Sequence, residues 1–363
     1  MLQQPPRSGE TWRHSNISLW AVQTIKATKH CGNFNKLSSC ELNCYPPARL
    51  ATCVLDSGHF TSETPHMPID IAVVPVAGHG TRLLPATKSQ PKEMLPVGRK
   101  PVVQYIVDEL SHSGVKRLLF ITGPGKTSIE NHFDLNPELI ALLRETGKEE
   151  QLQELAFERQ QMEYFYTRQR RQLGLGHAVL CAEPFVGSQP FVVALGDSIL
   201  GVNTKSNVVE RMVEEFERTK ADVVIAFEEV PREEVVHYGI ALPRQPVGDI
   251  FELQDVIEKP SVAEAPSNLA VAARYVFSPS IFAALAKTEP GKGGEIQLTD
   301  AIRRVLREGG KGIGFRLGHE ERRFDIGNFE SYYQTFVEFA LADPDYGPKL
   351  TQFVRGLLDQ SQS

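Results

Sequence analysis

At 363 residues, with 41% hydrophobic and 23% charged residues, the chain is long enough to bury a large core, and one α/β domain with appendages is its natural organisation. No apolar run reaches the roughly 18 residues that a membrane span needs. The net charge is −6, and residues 1 to 68 hold six Lys/Arg against four Asp/Glu, so the rest is more acidic still. A nucleic-acid-binding surface is thereby excluded, and any small anionic substrate has to be met by local cations.

Residues 1 to 66 show no sustained hydrophobic period. They hold Cys31, Cys40, Cys44 and Cys53, at spacings that lack the close pairs of a zinc ribbon. The apolar stretch at 17 to 22 is too short for the core of a secretory signal. This segment is expected to be a disordered leader, or a start placed too far upstream, since Met67 stands directly before the first strand. Only Cys181 lies in the body, which excludes a disulfide framework there and points to the cytoplasm.

Residues 71 to 77 form an apolar run rich in β-branched side chains, as in a strand covered on both faces. It ends at Gly78-His79-Gly80-Thr81-Arg82. Glycines at 78 and 80 permit positive φ and let backbone N–H groups approach a ligand, so the loop has the makings of an anion-binding concavity. A plain tight turn carries the same pattern. Thr81 adds a hydroxyl and Arg82 a fixed positive fork. Lys92 follows Pro91, and Pro85 and Pro96 limit the segment's freedom. A dinucleotide fingerprint, and with it an NAD-dependent dehydrogenase, is disfavoured because the third glycine is missing and Pro85 interrupts. Gly-Pro-Gly-Lys-Thr at 123 to 127 imitates the end of a Walker loop, but Phe120 stands where its first glycine belongs. It reads as a turn opening a helix.

The string Ala77-Gly78-x-Gly80-Thr81-Arg82, followed by Pro91-Lys92-Glu93-Met94-Leu95-Pro96, resembles the signature of sugar-phosphate nucleotidylyltransferases. With PATK at 85 to 88 and SIENHFD at 128 to 134, the chain is most similar to the bacterial-type UTP–glucose-1-phosphate uridylyltransferases, from residue 69 to about 345. The resemblance implies a Rossmann-like α/β fold, with a mixed, mostly parallel central sheet flanked by helices and further helices at the C-terminus. It implies a nucleotidyltransferase domain over 67–345, followed by a C-terminal helix and tail over 346–363. A homo-oligomer, dimer or tetramer, is also implied. Within the opening loop it assigns Ala77, Gly78, Gly80 and Thr81 to nucleotide binding, and Arg82 and Lys92 to catalysis.

Further along, Val103, Ile106, Val107 and Leu110 recur at helical spacing over 101–113, and 117–122 reads as a second buried strand. Residues 125 to 158 read as helical and peripheral, with Leu139, Leu142, Leu143, Leu152 and Leu155 as the buried stripe. A strand over 162–167 leads into Arg168-Gln169-Arg170-Arg171-Gln172-Leu173-Gly174, which resembles the family's base-reading segment. The Gln169 amide can offer a donor and an acceptor to a pyrimidine, and Gly174 lets the backbone sit close to the ring. Arg170 and Arg171 depart from the family's usual small or apolar residues.

A third buried strand over 190–195 ends in Gly196-Asp197, and an aspartate there lies where open α/β sheets bind ligands. The resemblance makes Asp197 one metal ligand and Asp325, in Phe324-Asp325-Ile326-Gly327-Asn328, a second. The latter string also fits an ordinary helix entry. A helix over 208–216 and a strand over 221–228 are expected core. Gly239, Glu258 and Lys259 match sugar-phosphate-binding positions, and Glu258 and Lys259 serve one ligand only if the chain bends at Pro260. Strand 269–277, helices over 279–287 and 296–308, and terminal helices over 328–342 and 347–358 complete the reading. The activity implied is transfer of uridylyl from UTP to glucose 1-phosphate with Mg²⁺. Alternatives are another nucleotide or sugar, for example dTTP, or a non-catalytic nucleotide-sugar sensor.

Overall fold

A computed structural model describes residues 69–361 except 160, 203–205 and 246; the expectations for residues 1 to 66 lie outside the described residues. Between β1 (Ile71–Pro75) and α1 (Val102–His112) come short 3-10 turns and a small hairpin, β2 (Pro96–Val97) with β3 (Lys100–Pro101). Then follow β4 (Arg117–Thr122), α2 (Thr127–Phe133), α3 (Pro137–Glu145), α4 (Glu149–Glu154) and β5 (Glu163–Arg168). Next are α5 (Leu175–Leu180), α6 (Glu183–Val186), β6 (Phe191–Ala194), β7 (Ser198–Leu200), α7 (Val208–Thr219) and β8 (Val223–Glu229). β9 (Gly239–Pro243), β10 (Ile250–Glu258), β11 (Leu269–Phe277), α8 (Ser280–Ala286), α9 (Leu298–Arg307) and β12 (Gly312–Arg316) come after them. β13 (Arg323–Asp325), α10 (Phe329–Ala342) and α11 (Gly347–Ser361) close the described chain.

Among the described residues, nine strands form one sheet in the order β5-β4-β1-β6-β11-β8-β12-β10-β9. β5, β4, β1 and β6 pair in parallel, as do β8 and β12. The β6–β11, β11–β8, β12–β10 and β10–β9 pairs are antiparallel. The sheet is therefore mixed, and its all-parallel half carries the glycine loop. β13 pairs with β7 apart from the main sheet, setting Asp325 opposite Ser198.

The apolar runs of the parallel half follow from burial on both faces. Ala72, Val74, Leu118 and Phe120 face one core, which includes Val103, Ile106 and Leu110 of α1 and Met212 of α7. The alternating Ile71, Val73, Leu119 and Ile121 face another, formed with α5, α8 and α9. Each fully buried Val, Ile or Leu is worth about 1.5–3 kcal/mol, so register slips that exchange the two faces are costly. The expected stripe over 125–158 is corrected: Leu143 and Leu152 are buried, but Leu139 and Leu142 are 37% and 55% exposed. Three separate helices occupy this stretch, and Ile129 and Phe133 of α2 do the anchoring in the core.

A charged pair lies deep in the interior between sheet and helix. Arg274 on β11 is fully buried and donates to Glu109 Oε2 of α1 at 2.6 and 3.1 Å, and to the Ser198 carbonyl at 3.0 Å. Ala273, at φ 61, lies in a break of the β11–β8 register that precedes it. Sheet and helix thus hold the peptide that follows Asp197.

Candidate active site

The loop after β1 is shaped by its own hydrogen bonds. Gly80 adopts a left-handed conformation, φ 65, which a Cβ would strain. Its carbonyl accepts from Thr87 Oγ1 at 2.7 Å and from the Leu83 N–H at 3.0 Å, closing the turn Thr81–Leu83. Gly78 does not use positive φ, which corrects the expectation for that position; a Cβ there would sit 3.9 Å from Lys92 Cε, an ordinary contact. Gln172 Nε2 donates to the Ala77 carbonyl at 2.6 Å and fastens the loop to the segment after β5.

Lys92 forms an ion pair with Asp197, and both side chains are largely buried. Burial opposes the Lys92 charge, but Asp197 and then Glu93 outweigh it and its pKa is raised. Burial likewise opposes ionisation of Asp197, and Lys92 overrides that to hold its pKa below the usual carboxylate value. Asp325 behaves oppositely: burial, and next the Asp197 carboxylate, push its pKa up against Arg323 and Lys92. Asp197 and Asp325 are close neighbours, since the Ile326 N–H donates to the Asp197 carbonyl at 3.0 Å and Ser198 Oγ to Asp325 Oδ1 at 3.3 Å. The Arg82 guanidinium reaches the same turn, with Nη2 3.3 Å from where a Gly327 Cβ would lie.

Ala77, Gly78, Gly80, Thr81, Lys92, Gln169, Gly174 and Asp197 line one cavity of 390 Å³. A larger cavity of 600 Å³ opens elsewhere, between Glu228, Arg316 and Arg322, and gathers none of the expected residues. Gly174 sits at φ 98, and a Cβ there would lie 2.7 Å from Glu295 Cβ and 2.8 Å from the Ile296 carbonyl. Gly174→Ala is therefore expected to cost about 1–3 kcal/mol in denaturant unfolding and to raise the nucleotide KM, since relief requires the cavity wall to move.

Gly239, Glu258 and Lys259 form a second group outside that lining. Gly239 pairs with Glu258 across β9 and β10, Thr299 Oγ1 donates to Glu258 Oε2 at 2.6 Å, and Lys259 Nζ lies 3.5 Å from Glu258 Oε1. The expected bend comes one residue before Pro260, at Lys259, whose φ is 44. Two bridges join the groups. Glu295 lines the cavity four residues before Thr299. Arg323, on the other side, lies 3.8 Å from Asp325 Oδ1 and 4.7 Å from the Tyr238 ring centroid, beside Gly239.

A family model described as nucleotidyl transferase matches residues 71–340. The chain belongs to the nucleotidyl transferase family. A UTP–glucose-1-phosphate uridylyltransferase of Bacillus subtilis (strain 168) is 42% identical to this transferase over 291 residues, covering 80% of this chain and 98% of that one. A UTP–glucose-1-phosphate uridylyltransferase 1 of Staphylococcus saprophyticus is 40% identical over 291 residues, 80% of this chain and 99% of that one. Among solved structures, the UTP-bound UGPase from Acinetobacter baumannii superposes with a TM-score of 0.72 at 36% identity, covering 79% of this chain and 98% of that one. A UDP-glucose pyrophosphorylase complexed with UDP-glucose gives 0.67 at 36% identity, covering 75% and 98%.

Several residues of the transferase's site escaped sequence reasoning. Glu93 lies in the motif, yet its part emerges only in the fold: buried, with its pKa raised by burial against Lys126 and Lys92, it accepts from Lys126 Nζ at 2.7 Å and lines the cavity. Lys126 thus ties the start of the supposedly peripheral region to the cavity wall. Gln172 and Arg323 carry no signal of their own, and Thr299 lies in a family-like string, 294–300, that as a sequence assigns it no role, because the partners of each come from distant strands or loops.

Proposed function

We propose that this transferase moves a uridylyl group from UTP to glucose 1-phosphate, giving UDP-glucose and pyrophosphate. What carries the reading is the cavity where a glycine loop, Lys92 and Asp197 meet, with Asp325 beside Asp197 outside the lining, in a chain whose named relatives are uridylyltransferases.

A phosphate monoester bears about −1.5 to −2 charge at pH 7, so the sugar phosphate oxygen is a nucleophile without a general base. It attacks the α-phosphorus in line. A new P–O bond forms as the bond to the bridging oxygen breaks, and pyrophosphate leaves with the electron pair. The obstacle is repulsion, about 4 kcal/mol for each pair of unit charges 4 Å apart at an effective dielectric of 20. Lys92 and Arg82 stabilise charge on the triphosphate, and Lys259 holds the sugar phosphate beside Glu258, which accepts from sugar hydroxyls. Ala77, Gly78, Gly80 and Thr81 wrap the nucleotide, Gln169 and Gly174 meet its base, and Gly239 leaves room for the hexose.

Among the described residues no group of three or more His, Cys, Asp or Glu side chains is arranged to hold a metal ion. The Asp197–Asp325 pair nevertheless fits Mg²⁺, which takes one or two carboxylates and completes its shell with substrate phosphates and water. Burial, and next the Asp197 carboxylate, push the Asp325 pKa up, and a divalent cation between two neighbouring carboxylates would favour their charged forms. When bound there, Mg²⁺ supplies charge screening and Lewis acidity to the reacting phosphates.

Pyrophosphate release across UTP, dTTP, CTP and ATP, each with glucose, galactose and mannose 1-phosphates, tests the assignment; UTP with glucose 1-phosphate is expected to dominate. Nucleotide binding without release in any combination would establish a sensor instead. The proposed domain organisation is 67–345 with the C-terminal helix after it. A homo-oligomer, dimer or tetramer, is supported by the exposed Tyr333, Val337, Phe353 and Leu357 of α10 and α11. A cytoplasmic location is supported by a body with a single cysteine and by the absence, among the described residues, of any helix long and apolar enough to cross a membrane.

A further inference from the structure

Gln169 is almost fully buried at the cavity wall. Its Nε2 lies 3.0 Å from the Gly174 carbonyl oxygen and 2.9 Å from His177 Nδ1. A carbonyl oxygen only accepts, so the amide nitrogen, not its oxygen, must face Gly174. That nitrogen has two hydrogens. One goes to Gly174 and the other to Nδ1, which must then carry a lone pair, leaving the imidazole proton on Nε2. Both hydrogens are consumed within the protein. Oε1 has no protein partner among the described residues and is left for a ligand.

The frame around this pair is fixed. The Gly176 N–H donates to the Ile296 carbonyl at 2.9 Å and the Ile296 N–H to the Leu173 carbonyl at 2.7 Å, so the entry to α5 is clamped by the segment before α9. Cys181 Sγ makes a longer contact, 3.9 Å, with the same Nδ1, and burial raises its pKa and keeps it a neutral thiol, which can donate to Nδ1 as the amide does.

We propose that His177 is a positioning residue for base selection: by engaging the second amide hydrogen of Gln169, it leaves a reader that can only accept. Such a reader pairs with the N3–H shared by uracil and thymine and rejects cytosine, whose N3 is itself a lone pair. Without His177 the Gly174 carbonyl would still hold the nitrogen, but its second hydrogen would be free to donate to cytosine N3. The inference rests on the nucleotidyl-transfer reading of the cavity and adds to it the residue that sets the polarity of base recognition.

The test compares kcat/KM for UTP and CTP, with glucose 1-phosphate, in the wild type, His177→Leu and His177→Asn. In His177→Leu the UTP/CTP ratio is expected to fall at least about tenfold, the equivalent of 1.4 kcal/mol, mainly through KM. In His177→Asn, whose carboxamide oxygen can replace Nδ1 as acceptor, the ratio should stay within about threefold of wild type. A histidine that only packs would lower both nucleotides alike, so an unchanged ratio in folded His177→Leu overturns the proposal. Should that variant not fold, long-range proton–nitrogen correlation spectra of the wild-type chain at about pH 8, where free imidazole is neutral, decide it. The Nε2–H tautomer is required, and Nδ1–H refutes it. A wild type that turns over no UTP would instead refute the uridylyltransferase reading, and the tautomer measurement stands apart from that result.

Discussion

Lys92→Ala is expected to lower kcat by about 10²–10³ with a much smaller change in the KM for UTP. Lys92 is held beside the cavity by Asp197, and its raised pKa keeps it charged across the neutral range. A cation fixed in advance acts most on charge that grows as the α-phosphorus is attacked, so its loss falls on turnover. Lys92→Arg should recover little, because a planar fork does not fill the place of a compact ammonium paired with a carboxylate. Steady-state kinetics with both substrates varied checks the result, and retention of near-normal kcat in Lys92→Ala would remove the lysine from the mechanism.

Asp197→Asn and Asp325→Asn should each abolish Mg²⁺-dependent turnover, by about 10³-fold or more if the carboxylate is worth 4 kcal/mol in the transition state. Their stabilities should move in opposite directions. The folded pKa of Asp197 is depressed, so it stabilises the protein above its unfolded value near 3.9, and that contribution is lost as pH falls through the folded pKa. Asp197→Asn also strands the Lys92 charge, so its Tm at neutral pH should drop. The folded pKa of Asp325 is raised, so its ionised form costs stability once pH exceeds the unfolded value. Asp325→Asn should therefore raise the Mg²⁺-free Tm, by about 2 °C if burial of the charge and repulsion by Asp197 together cost ~1 kcal/mol after solvent screening. Added Mg²⁺ should raise the Tm of the wild type but of neither variant. Calorimetry with and without the ion reads all of this, and equal shifts in the two variants would contradict the carboxylate pair.

The parts legible in the sequence are those whose chemistry needs a contiguous string. The loop at 77–82 and the run at 91–96 announce themselves because turn, hydroxyl and cations must follow one another closely, and the apolar strands because both faces are buried. What was not legible depends on chain reversal. Thr299 meets Glu258 across 41 residues, Lys126 meets Glu93 across 33, and Gln172 meets Ala77 across 95. The orientation of the Gln169 amide was hidden for another reason: a side chain that can donate and accept has no set polarity until its neighbours are placed. Leu139 and Leu142 misled because helical spacing marks an apolar face without saying whether anything covers it.

Arg274 grips the carbonyl of Ser198 from inside the sheet, one residue past Asp197, and Glu109 of α1 anchors the guanidinium in turn. The segment that carries Asp197 is thereby fastened to fully buried side chains of the sheet and α1. Any accommodation that a ligand of the cavity needs falls to the glycine loop, where Thr81 and Arg82 are exposed.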